Sequence, residues 1–70
     1  MTPEKWIAAK IKERGLKIYF VAEKAGMNAK NLSASLNSKR KLKVDEFLHV
    51  CKALGLDPDD YTREEGKANA

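Results

Sequence analysis

Cysteine occurs once, at Cys51, and histidine once, at His49. A single thiol closes no internal disulfide, and one thiol with one imidazole makes no zinc set. Neither a structural metal nor an oxidising compartment is implied, and no cofactor is expected. Proline occurs twice and glycine four times in 70 residues, a composition that argues against a disordered chain. No apolar run approaches the roughly 18 residues of a membrane span. The opening Met-Thr-Pro-Glu-Lys-Trp lacks the basic and then apolar order of a signal peptide, so the cytoplasm is the expected place. There is no GxxxxGK[ST] phosphate loop, and His49 falls on the outer side of a helix with no visible partner, so it reads as solvated rather than catalytic. An enzyme is the least expected reading.

What is present suits one small, mostly helical domain, with 43% hydrophobic and 34% charged residues. A core of this size rarely supplies more than about 3–5 kcal/mol net. The formal charge is +4, and its distribution says more than its size. From Lys24 through Val44 there is no Asp or Glu, while Lys24, Lys30, Lys39, Arg40, Lys41 and Lys43 all lie there. Acid gathers instead between Asp57 and Glu65. Such polarity gives the surface a positive side and a negative end, and the positive side has the electrostatic footprint of a polyanion binder. A solvated surface with a chance cluster is the plainer alternative.

Along the chain, Thr2 and Pro3 read as a cap and first helical position. The first helix then runs to about Arg14, with Ile7, Ala8 and Ile11 inward and Trp6 at the edge of the stripe. Gly15 stops it, and Leu16 anchors the loop. A second helix, Ile18 to Ala25, carries Ile18, Val21, Ala22 and Ala25 on one stripe. Phe20 is expected to pack against a neighbouring helix, the alternative being a subunit contact. Tyr19 is the ring better placed for a phosphate. Gly26 can end this helix in a left-handed conformation, and Asn28 can cap the next.

The third helix, Ala29 to Leu36, is about eight residues and so roughly 12 Å long. Leu32 and Leu36 hold it to the body, and Ser35 is small enough for close approach. Ala29, Lys30, Ser33, Ala34 and Asn37 remain on the open side, which makes a poor core face and a good groove-facing one. Free N–H groups at its start suit a phosphate. Two helices joined by so tight a turn form a helix-turn-helix pattern. The basic loop Asn37-Ser38-Lys39-Arg40-Lys41 reads as a phosphate clamp; in isolation, a nuclear-import signal or a solvated loop would look similar. A fourth helix, Val44 to Leu54, is expected to face inward with Val44, Phe47, Leu48, Cys51 and Leu54, leaving Val50 and Ala53 on its flank. Asp57-Pro58 opens a brief fifth helix, and Thr62 to Ala70 is expected to be a frayed, flexible tail.

These residues resemble the lambda repressor-like, or Cro/CI-type, helix-turn-helix family in its compact five-helix form, an all-α bundle. The resemblance covers about Ile7 to Tyr61. It is carried by Gly15-Leu16, Val21-Ala22, Gly26-Met27, Leu32, Asn37, Lys39-Arg40-Lys41 and Ala53-Leu54-Gly55-Leu56. It implies a DNA-binding domain over residues 1–61 whose third helix enters the major groove. Ala29, Lys30, Ser33 and Ala34 become the base-facing candidates, with Asn28, Asn31, Asn37, Lys39, Arg40 and Lys41 near phosphates. Lys17 and Tyr19 join them from the second helix. Lys30 can bond guanine O6 or N7, and Ala29 or Ala34 can touch a thymine methyl. The chain departs from the family where Lys17-Ile18 replaces a frequent Ser or Thr followed by Gln, and where Ser38 replaces a frequent glycine.

The implied partner is operator DNA, bound in the nucleoid, with a weak homodimer favoured on the duplex. The implied function is a phage or prophage type transcriptional repressor. A second expectation, from another class, is a protein-interaction module in the same fold, such as an antitoxin or antirepressor, using Tyr19, Phe20 and the flank between the fourth and fifth helices.

Overall fold

A computed structural model describes residues 2–69, with side-chain surroundings through residue 64. The described residues form five helices, α1 (Pro3–Glu13), α2 (Ile18–Ala25), α3 (Ala29–Leu36), α4 (Val44–Leu54) and α5 (Pro58–Asn69). The fold is all-α, as expected. Thr2 caps α1 by accepting the Lys5 N–H at 3.2 Å, and Pro3 opens the helix where its missing donor costs nothing.

Periodicity sets the core. Ile7 and Ile11 of α1, Val21, Ala22 and Ala25 of α2, and Leu32 of α3 are all buried together with Val50, Cys51 and Leu54 of α4. The small residues of α2 let it lie close to α4 and α3, while α1 packs against α3 and α4. Leu16, Ile18, Leu36 and Leu56 close the edges, each partly buried against this cluster. Burial in apolar surroundings, with Asp57 adding to it, pushes the Cys51 thiol up to about 11. It behaves as a small hydrophobe rather than a nucleophile.

Four expectations change. Trp6 is at the centre rather than the edge, only 1% exposed, because α5 and α4 cover it. Tyr61 and Phe47 lie with ring centroids 5.6 and 6.0 Å from it, and its indole N–H donates to Glu64 at 2.6 Å. The fifth helix is not brief: the backbone stays helical past Thr62 to Asn69. The absent apolar stripe is replaced by an anchor of one ring and one carboxylate, helped by an Arg63–Asp60 ion pair. Ala70, and the side chains beyond residue 64, lie outside the described residues.

The inward face of α4 is also turned from its expected position. Val50 is fully buried, whereas Val44 and Leu48 are 76% and 46% exposed. Apolar residues cover more than half of the circumference of α4, so two stripes at helical spacing compete. Contact with α1 and α2 selects Phe47, Val50, Cys51 and Leu54. Phe20, expected against a helix, is instead exposed with the Lys24 ammonium 5.0 Å from its ring centre. Val21 and Ala22 take the inward positions that Phe20 would need.

Candidate nucleic-acid interface

α3 is held at both ends by local chemistry. Gly26, at φ 72°, ends α2 in the left-handed region, and the Met27 N–H then closes on the Ala22 carbonyl at 2.9 Å. Asn28 follows in extended conformation. Its side-chain oxygen accepts the N–H groups of Lys30 at 2.8 Å and Asn31 at 3.3 Å. Donors expected to be free for a phosphate are therefore partly used by the cap, and Asn28 acts first as a structural residue. Leu32 and Ser35 point into the body, both fully buried.

The opposite side of α3 opens on a depression of about 500 Å³ lined by Ile18, Tyr19, Ala29, Lys30, Ser33, Ala34, Asn37 and Lys39. This lining includes the expected base-facing set together with Tyr19, Asn37 and Lys39, and it contains no carboxylate. Tyr19 is 61% exposed at its rim, and the Lys17 ammonium stands 5.9 Å from the Tyr19 ring centre. Ile18, expected only in the core, is a contributor that its apolar spacing does not reveal.

Lys17, Asn28, Asn31, Arg40 and Lys41 do not line this depression. Lys41 lies in a neighbouring hollow with Thr2, Glu4, Ser38, Lys39 and Arg40, so Lys39 belongs to both. Arg40 departs most from expectation. Its guanidinium folds inward, donating from Nη1 to Ser35 Oγ and to Glu46 Oε1, both at 3.0 Å, and from Nη2 to Glu46 Oε2 at 3.3 Å. Lys39 and Lys41, on either side, remain exposed. Lys24 is separate from this face, in a hollow with Ala25, His49, Lys52 and Ala53 between α2 and α4.

Two carboxylates from outside the acid-free stretch reach the loop. Arg40, and then the Lys43 N–H at 3.0 Å, hold the Glu46 carboxyl below its usual range. The Leu42 N–H, at 2.7 Å, does the same for Glu4. Glu46 stands three residues after the cap position of α4, a spacing that signals this bond, although a lysine at the cap disguises it. Glu4 has no comparable signal. Among the described residues no group of three or more His, Cys, Asp or Glu is placed to hold a metal ion, and no helix is long and apolar enough to cross a membrane.

A cationic, carboxylate-free depression on the outer side of the second helix of a tight helix pair is the geometry of a helix-turn-helix domain. Residues 7–61 match the model of the Cro/C1-type HTH DNA-binding domain, and the chain belongs to that family. No curated protein and no solved structure matches the chain.

Proposed function

We propose that this protein is a sequence-specific transcriptional regulator, of the phage or prophage repressor type, that places α3 in the major groove of an operator. The observation that carries this reading is the lining of the α3 depression, small and polar with Lys30 and Lys39 and without a carboxylate. An alanine-rich helix face can approach base edges closely, Lys30 supplies a donor for guanine, and Lys39 and Lys41 flank the groove for the backbone. Tyr19 of α2 and Lys17, the residue just before that helix, approach the phosphates.

With Lys17, Lys39 and Lys41 as the cations at the backbone, affinity per protomer falls with salt at a log–log slope of roughly −3. Lys39→Ala weakens binding to all duplexes alike and lowers the size of that slope by about one, while Lys30→Ala changes sequence preference. Titration of duplex DNA at two salt concentrations tests this; salt-independent binding, or none, rejects it. One short helix reads few bases, so a homodimer spanning half-sites about 34 Å apart is expected on DNA. Sedimentation with operator tests that, and a strictly one-to-one complex on every site rejects it.

The exposure of Val44 and Leu48 on α4, and of Tyr19 and Phe20 on α2, favours a second reading, a protein-interaction module such as an antitoxin or antirepressor. Duplex binding that survives dissection of all other partners separates it from the first.

A further inference from the structure

The acid-free stretch from Lys24 to Val44 meets two carboxylates only because the chain folds. Glu46, in the first turn of α4, accepts both terminal nitrogens of Arg40 and the Lys43 N–H. Arg40 in turn donates to Ser35, which is buried in α3. Glu4 of α1 accepts the Leu42 N–H. The loop after α3 is thereby tied to three helices. On charge alone this arrangement opposes binding to a polyanion: it brings negative groups to the cationic side, and it turns the central cation of the loop inward.

We propose that Glu46 is a positioning residue for DNA, a clasp that through Arg40 and the Lys43 N–H presets the basic loop and so strengthens binding despite its own repulsion of phosphate. The inference rests on the DNA-binding reading above and adds to it a role opposite in sign to the charge of the residue. A loop already ordered in the free protein loses less freedom when Lys39 and Lys41 meet the backbone. Arg40 serves the interface by shaping it, not by touching it.

Sign makes the test sharp. Glu46→Gln and Asp45→Asn each remove one negative charge from the first turn of α4, but Asp45 is exposed and outside the clasp. On random-sequence duplex at fixed salt, Asp45→Asn should bind as well as the unaltered protein or tighter. Glu46→Gln should bind roughly 3- to 10-fold more weakly, the loss expected when a loop side chain must be ordered on binding. Arg40→Met, which keeps the apolar stem, should weaken binding with the salt slope unchanged; a slope smaller by about one would mean that Arg40 itself holds a phosphate and would overturn the proposal.

Amide exchange in the free protein supplies the reading without DNA. Glutamine still accepts the Lys43 N–H, so the variant here is Glu46→Ala, which should lower protection at Lys43 while Val50 and Cys51 keep theirs. If Glu46→Gln, which loses the charged pairing with Arg40, matches Asp45→Asn in affinity, or if Glu46→Ala leaves Lys43 protection unchanged, the clasp is overturned while the DNA reading stands. If the unaltered protein binds no duplex at low salt, both fall.

Discussion

Before α3 the chain reverses through Gly26 at φ 72°, and after it through Ser38 at φ 62°. Both reversals return a backbone N–H to the helix just ended, Met27 to Ala22 at 2.9 Å and Lys39 to Ala34 at 2.8 Å. Their support differs. The first uses a glycine, which tolerates the left-handed region, and an asparagine cap two residues later, so everything it needs lies within a few residues. The second places a serine where a side chain is strained, and is followed by a loop held from α1 and α4. The turn in front of α3 is thus secured by local chemistry, whereas the loop behind it, carrying three successive cations, is held by distant carboxylates.

Removing the helix between the turns has the largest expected effect. Leu32 is fully buried, and Leu32→Ala should cost about 3 kcal/mol from lost contact and the cavity left behind. A urea or thermal melt measures it, and both turns should loosen together. Gly26→Ala attacks the first turn alone by forcing a Cβ into the left-handed region, for a loss of about 1 kcal/mol. The converse substitution at the second turn, Ser38→Gly, should stabilise by about 0.5–1 kcal/mol by relieving the same strain. If it destabilises, the serine side chain has a role that its conformation does not reveal.

Acid separates the turns without substitution. The Glu46 and Glu4 carboxyls are both held below the ordinary glutamate value. Their contribution is complete above that value and is lost as pH falls through the lower folded-state values, since protonation releases Arg40, Lys43 and Leu42. Protection of the Leu42 and Lys43 amides, corrected for intrinsic exchange, should therefore fall with acidification before that of Lys30 and Asn31, whose Asn28 acceptor does not titrate. Equal loss at both turns would show that the carboxylates do not carry the difference.

The same contrast explains which parts of the molecule were legible in the chain. Helix positions followed from apolar spacing and turn residues, and the open face of α3 followed from its small and polar side chains. The stripe of α4 did not, because Val44 and Leu48 are as apolar as Val50 and only the packing of α1 and α2 chooses between them. Trp6 was placed at an edge because its cover, Tyr61 and Glu64, comes from a segment with no apolar period. Of the residues expected at the site, Tyr19, Ala29, Lys30, Ser33, Ala34, Asn37 and Lys39 line one depression. Arg40 turns away because it pairs with Glu46, a partner that the lysine at the cap position hides in the sequence.

The sequence by itself determined the first four helices and the glycine and asparagine turn before α3, because hydrogen bonds and periodicity of that kind act within a few residues. Tertiary structure alone decided that Trp6 is central and that the basic loop is braced. The bonds responsible join residues 58 apart, Trp6 to Glu64, and 38 apart, Leu42 to Glu4. Contacts at such separations have no period to read, and exist only once helices with independent local reasons to form have packed against one another.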